Sequence, residues 1–185
     1  ELYDIILILE KTKKAKEQGE EREDALQEYF QALAPLDEVR RELQRCILSE
    51  EELADDASPE LSHLRRKEKG LEEKINQELN RILQHGRSML QDPVITLRNG
   101  RHVFPVKAEH KNAFRGIVHD ESSSGATLFM EPFSIVQLEN DMRELLSLEK
   151  KEVEKILLQL SLSLAPFTEE LGENVKILSH LDFVF

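Results

Sequence analysis

Ile95-Thr96-Leu97-Arg98-Asn99-Gly100-Arg101-His102-Val103-Phe104-Pro105-Val106-Lys107 is the stretch that decides the fold. Alternating segments flank Asn99-Gly100, and both turn residues tolerate positive φ, which a type I′ turn requires. The pattern predicts an antiparallel hairpin with strands near Val94–Arg98 and Arg101–Lys107. Pro105 lacks the N–H that a ladder needs, so it confines the second strand to an edge or a bulge. Further strands are expected near Gly116–His119 and Ala126–Met130, joined by the loop Asp120–Gly125. Residues 93–132 therefore read as a small, turn-rich β insert.

The insert differs in charge from the rest of the chain. Between Pro93 and His119, Arg98, Arg101, Lys107, Lys111 and Arg115 face only Glu109, a net +4. The whole chain carries −12, so the residues outside that window carry −16. A positive island on an acidic body is the pattern of a small surface that meets phosphates while the remainder repels them.

Working outward, both flanks are helical. On the N-terminal side, Ser58-Pro59-Glu60 is a helix start: a capping hydroxyl, a proline at the first helical position and an acid at the positive dipole end. From there Leu61, Leu64, Leu71, Ile75, Leu79, Ile82 and Met89 repeat at three- and four-residue steps, interrupted by Glu68 and Gly86. This resembles a coiled-coil seam and predicts a helix to about Gln91, ended by Asp92-Pro93. On the C-terminal side, Ser134 and Gln137 suggest a capping box, with Phe133 and Leu138 spaced for a hydrophobic staple. A second seam follows through Leu138, Met142, Leu145, Val153, Ile156, Leu160 and Leu164. Pro166 bends or ends it, and a last helix carries Leu171, Val175, Leu178 and Leu181.

Upstream, Leu2 to about Gln18 reads as one helix with Leu2, Ile5, Ile6 and Leu9 on one face and Gly19 as its C-cap. A second run, Glu20 to about Leu48, places Leu26, Phe30, Leu33, Leu36, Val39, Leu43 and Ile47 at helical spacing, with a break or kink near Leu33 caused by Pro35. Ser49 to Ala57 is an acidic connection. The fold class is thus mainly α. Core helices are expected over 1–57 and lever or core helices over 58–92 and 133–185. Together they form an antiparallel lever arm, with the β insert over 93–132 as a reduced clamp at its tip.

Composition agrees with long solvated helices. Charged residues make up 34% of the chain, there is no Trp, and only seven Gly and six Pro occur, mostly at the predicted breaks. No apolar run approaches the roughly 20 residues needed to span a bilayer, so no membrane partner is expected. The single cysteine, Cys46, excludes an intrachain disulfide and suits a reducing cytoplasm. It reads as a helix-face residue packed among Leu43 and Ile47. The opening Glu1-Leu2-Tyr3-Asp4 has no initiator Met or signal pattern, and Leu181–Phe185 closes without cap or break. The chain is therefore expected to be a piece of a longer protein.

Several longer motifs converge on one family. They are Asp55-Asp56-Ala57-Ser58-Pro59-Glu60-Leu61, Arg98-Asn99-Gly100-Arg101, Pro105-Val106-Lys107-Ala108-Glu109, and Gly116-Ile117-Val118-His119-Asp120. Ser122-Ser123-Ser124-Gly125-Ala126-Thr127-Leu128-Phe129, Glu131-Pro132 and the closing Leu181-Asp182-Phe183 continue the pattern. With these residues the chain resembles the second bacterial branch of the MutS proteins, from about Leu36 onward. The resemblance implies a homodimeric parent that binds ATP with Mg, hydrolyses it, and often ends in a nuclease-like domain. It also implies core, lever and clamp parts without a mismatch-reading domain. Implied activities are binding of branched DNA with suppression of recombination, or engagement of ribosomal RNA on collided ribosomes. No Gly-x-x-x-x-Gly-Lys-Ser/Thr loop occurs in the chain, so the chain itself is expected to be non-catalytic and to hold no cofactor.

Arg98, Arg101, Lys107, Lys111 and Arg115 are the nucleic-acid candidates, since cations on strands and loops neutralise phosphates irrespective of sequence. Ordinary surface solubility is the competing explanation. A second candidate is the loop Ser122, Ser123, Ser124, Gly125 and Thr127, whose hydroxyl and N–H donors suit a phosphate. Its rival, a loop that holds its own turn, is favoured because Asp120 and Glu121 would repel an anion. His119 beside Asp120 and the serines has no nucleophile-elbow context, and His102, His110 and His119 match no zinc spacing; neither a catalytic nor a metal site is expected. The Lys11–Lys16 run suits a helix C-terminus, and Glu50–Asp56 a solvated loop. As a whole the chain reads either as a nucleic-acid-binding module or as a purely structural dimerisation arm.

Overall fold

The structure, a computed structural model, describes residues 1–19 and 26–184. The chain is mostly helical with one four-stranded antiparallel sheet. It divides into two compact units, Glu1–Ser62 with Lys151–Phe185, and His63–Lys150. Among the described residues, no helix is long and apolar enough to cross a membrane.

In the first unit, α1 (Leu2–Gly19) buries Ile6 and Leu9 at helical spacing. Thr12 is also buried there, and its hydroxyl donates to the Ile8 carbonyl at 2.8 Å. Gly19 closes the described part of this helix, where a Cβ would overlap the Phe30 side chain, so close packing selects glycine. The expected second run is divided. Its first six residues, 20–25, lie outside the described residues. The rest forms α2 (Gln27–Ala32) and α3 (Asp37–Cys46), separated around Pro35, with Leu36 in the left-handed region at φ 46°. Lys16, from the basic run of α1, donates to the Leu33 carbonyl at 2.6 Å and so satisfies an orphan acceptor past the end of α2.

Leu9, Leu43, Cys46, Ile47, Leu53 and Leu61 form the main core of this unit with Ile156, Leu160 and Leu164. Fully burying a leucine stabilises by about 1.5–3 kcal/mol, and Leu9, Leu43 and Leu61 are all at 0% exposure. Burial also pushes the Cys46 thiol above its ordinary pKa, so this cysteine is a packing residue. A smaller cluster joins Phe30 and Leu33 to Leu181 of α6 (Thr168–Val184). The buried face of α6 carries Asn174, whereas Val175, expected inside, is exposed. The Asn174 amide makes a two-way bond with Ala34: its Oδ1 accepts from the Ala34 N–H at 2.9 Å and its Nδ2 donates to the Ala34 carbonyl at 2.7 Å. It replaces the backbone partners that Pro35 denies this segment.

α4 (Pro59–His85) and α5 (Phe133–Leu164) carry the two seams. Ser58 caps α4 as its sequence predicts, its Oγ accepting from the Leu61 N–H at 3.0 Å. The hydroxyl donates in turn to Glu152 at 2.8 Å. A short 3₁₀ turn at Ala165–Phe167, containing Pro166, separates α5 from α6.

The second unit contains the sheet. β1 (Thr96–Arg98) and β2 (Arg101–Lys107) meet across Asn99 and Gly100, at φ 53° and 69°, as the type I′ reading requires. With β3 (Gly116–Glu121) and β4 (Thr127–Pro132), the strand order is β1-β2-β4-β3. β2 lies inside that order, yet Pro105 is accommodated. Arg101–Val103 pair with β1, and Phe104–Lys107 pair with β4, so Pro105 lies past the end of β1. Its carbonyl accepts from Gln91 at 2.7 Å, and the next residue but one, Lys107, donates to the Met89 carbonyl at 3.0 Å. The missing N–H therefore faces the Met89–Gln91 segment and not β4.

Those bonds also correct the end of α4. The helix stops at His85, six residues before the expected Gln91, because Met89–Gln91 bonds to β2 and Leu90 forms a bridge with Val106. The expected capping box at Ser134 is likewise absent. β4 runs directly into α5, whose first N–H, on Phe133, donates to the Arg115 carbonyl at 3.0 Å. Gln137 instead donates to Asp141.

Phe104, Val106, Leu128 and Met130 alternate onto one sheet face and pack with Ile75 and Leu79 of α4 and Ile135 of α5. So few short strands bury too little alone, and the helical residues complete the core. A bulge between Val118 and Asp120 interrupts the β3–β4 register. Gly116 permits the close approach of these strands: a Cβ would overlap the Glu131 carbonyl.

Candidate nucleic-acid interface

The five candidate cations all belong to the second unit but have different surroundings. Arg98 ends β1, where its Nε bonds to Asp120 at 3.2 Å and its guanidinium lies 4.3 Å from the Phe129 ring centroid. Lys107 ends β2 half-buried and donates to the Ser88 carbonyl at 3.2 Å. Lys111 and Arg115 follow on the connection to β3, both exposed, and neither side chain has a hydrogen bond or ion pair among the described residues. These two are the cations most available to an outside anion.

Arg101 is different. Its side chain is only 15% exposed and bonds to Glu131 at 3.2 Å, Glu139 at 3.5 Å and the Asn140 amide oxygen. Glu131 also accepts from His119 Nε2 at 2.5 Å, and Glu139 accepts from His102 Nδ1 at 2.5 Å and from the His102 N–H at 3.1 Å. The result is a chain of side chains, His119–Glu131–Arg101–Glu139–His102, in which both carboxylates are buried. The bulge at His119 adds a residue to β3 beside this chain. Arg143 of α5 extends the attachment by donating to the Gly100 carbonyl at 3.1 Å and to that of Asn99 at 3.3 Å. The guanidinium of Arg101 thus joins β2 and β4 to α5, and both its terminal nitrogens are engaged internally. Nothing in the local sequence around Arg101 signals this, since its partners lie 30 and more residues away.

The serine loop also engages its own groups. Ser122 Oγ accepts from the Thr127 N–H at 3.0 Å, and the Gly125 N–H donates to the Ser122 carbonyl at 2.8 Å, with Gly125 at φ 72°. Ser124 Oγ lies 3.4 Å from Ser122 Oγ. Ser123 is exposed. This is the geometry of a loop that holds its own turn. Among the described residues, no group of three His, Cys, Asp or Glu side chains is placed to hold a metal ion.

A feature the sequence did not single out is a groove of roughly 440 Å³ beside Arg115. Arg81, His85, Met89, Phe133 and Ser134 line it with Arg115. Phe133, read from the sequence as a staple residue, is 59% exposed there. One wall is electrically settled: Glu78 accepts from Arg81 at 2.6 and 2.7 Å. The bonds from Arg81 and then Ser134 hold the Glu78 carboxyl down at about 2.

The sequence comparisons agree with the motifs. A protein from Lachnoclostridium phytofermentans called endonuclease MutS2 is 44% identical over 197 residues, covering 100% of this chain. Proteins of the same name from Caldanaerobacter subterraneus subsp. tengcongensis and Agathobacter rectalis are 44% and 43% identical over 89% and 100% of the chain. The chain is MutS2-like along its whole length. It spans about a quarter of the length of these relatives, 25%, 21% and 24% respectively. No family model matches it.

The motifs on which the resemblance rests have identifiable physical roles here. Asn99-Gly100 forms the hairpin turn, Ser58 caps α4, and Gly116 lets β3 approach β4. Glu131 anchors Arg101 and His119. Much of that set of motifs therefore maintains the shape of the β unit.

Proposed function

We propose that this chain is the core, lever and clamp region of a MutS2-type ATPase, and that the β unit holds branched DNA through phosphate contacts. Arg98, Lys107, Lys111 and Arg115 make the contacts, and Arg101 keeps the surface that presents them in shape. The observation that carries this reading is the pair of exposed, uncompensated cations at Lys111 and Arg115 on a chain of net charge −12. Exposed cations on the β unit of an otherwise acidic chain favour a polyanion over a protein partner. The chain itself is non-catalytic. ATP and Mg belong to a part of the parent outside it, and the parent's dimerisation presents two such surfaces, which raises affinity without new contacts.

Fluorescence anisotropy of a labelled four-way DNA junction, titrated at two salt concentrations, tests the proposal. Binding should weaken steeply with salt, and Lys111→Ala with Arg115→Ala should reduce the log–log salt slope by about two. Absence of binding even at low salt would leave the dimerisation-arm reading standing. A ribosomal RNA helix bound more tightly than the junction would move the target from DNA to the ribosome.

A further inference from the structure

The groove beside Arg115 pairs an exposed aromatic ring with an unneutralised cation. The backbone fixes the pair: the Phe133 N–H donates to the Arg115 carbonyl at 3.0 Å, and the adjacent residues Gly116 and Pro132 are partners in the β3–β4 register. The two side chains thus leave the main chain at hydrogen-bonded positions of a rigid sheet end. A phenylalanine 59% exposed at the first residue of a helix contributes little to a core. Its neighbours explain it better as a binding surface.

From this arrangement we infer that the groove is a subsite for one unstacked nucleotide of the bound nucleic acid, with its base on Phe133 and its phosphate on Arg115. The inference rests on the phosphate-binding reading of the β unit and adds a preference for unpaired positions. A planar ring offers the π-face that every base stacks on, so no base identity is required. The cleft, at roughly 440 Å³, falls within the range of about 300–1,000 Å³ of small-ligand sites. Charge decides between a nucleotide and a purely apolar occupant. Among the described residues Arg115 is free, whereas Glu78, behind two of the lining residues, is held by Arg81 and Ser134. His85 donates from Nδ1 to the Arg81 carbonyl at 2.8 Å, which leaves Nε2 as a second polar group in the lining.

The test compares a fully paired DNA duplex with the same duplex carrying one unpaired 2-aminopurine, each titrated with the chain. Stacking on an aromatic ring corresponds to roughly 5- to 150-fold in affinity. The unpaired ligand should therefore bind more tightly by a factor in that range, with quenching of the 2-aminopurine. Phe133→Ala should abolish both the preference and the quenching while duplex binding persists. Phe133→Tyr should retain them, and Arg115→Ala should weaken both ligands. Equal binding of the two ligands by the unaltered protein, or a preference that survives in Phe133→Ala, would overturn the subsite and leave the phosphate-binding proposal intact. Failure to bind either ligand at low salt would overturn both.

Discussion

Replacing Arg101 by alanine should unfold the β unit before it reveals anything about ligand binding. The arginine side chain is 15% exposed, and the two carboxylates it joins, Glu131 and Glu139, have side chains only 2% and 7% exposed. Removing the cation leaves two anions in a poorly solvated site, with only His119 and His102 to compensate them. Breaking a buried pair from one side costs about 3–5 kcal/mol, a large part of the 5–15 kcal/mol typical of a whole domain. The effect should be local, so the assay is native-state hydrogen exchange at β2 and β4 amides, alongside urea denaturation. Arg98→Ala is the control, because its pair with Asp120 has side chains 39% and 52% exposed and exposed pairs contribute about 0–1 kcal/mol. Adding Glu131→Gln and Glu139→Gln to Arg101→Ala should recover much of the loss, since no buried charge is then left unpaired. A loss within about 0.5 kcal/mol, the ordinary range for surface substitutions, would refute the assignment of Arg101 as the centre of the network.

Three further outcomes are expected. Glu68 interrupts the α4 seam with a buried oxygen that has no hydrogen-bond partner among the described residues, and burial followed by the Glu149 charge pushes its carboxyl above the ordinary range; Glu68→Leu should stabilise the chain by about 1 kcal/mol at neutral pH, read as a raised urea midpoint. Asn174→Ala should cost about 1–3 kcal/mol by leaving the Ala34 N–H and carbonyl unpaired, measured in the same way. The Glu78 carboxyl is held at about 2 in the folded chain against 4.5 ordinarily, so its contribution is complete above pH 4.5 and is lost as pH falls towards 2; Glu78→Gln should flatten the acid limb of a stability–pH curve over that window.

The features legible in the sequence are those set by neighbours in the chain. Asn99-Gly100 specifies its turn through its own backbone freedom, and Ser58-Pro59 starts a helix through contacts within one turn. The seams were legible for a related reason: Ile75, Leu79, Ile156 and Leu160 fall inside on spacing alone. Distant partners defeated the same reasoning elsewhere. Helical spacing through Met89 extended α4 too far, because β2 offers Met89–Gln91 backbone partners that no local pattern discloses. Ser134 resembles a cap in sequence, but β4 runs straight into α5 and leaves no cap position there. In the candidate site, charge alone does not separate the exposed Lys111 and Arg115 from Arg101, whose internal pairing depends on the distant Glu131 and Glu139. Phe133 was legible as an apolar residue, while its exposure follows from the backbone bond to Arg115.

The amide of Asn174 reaches across 140 positions of sequence to Ala34, and this has a consequence for the order of assembly. Residues His63–Lys150 form one uninterrupted unit, whereas the other is made of two segments that flank it. During synthesis from the N-terminus, the continuous unit can close as soon as its own residues are available. Leu9, Leu43 and Leu61 must wait for Ile156, Leu160 and Leu164 to complete their core, and Ala34 waits longer still for Asn174. Closing so long an interval is entropically unfavourable in a free chain. A prefolded insert shortens the effective interval, so early folding of His63–Lys150 should speed closure of the flanking unit.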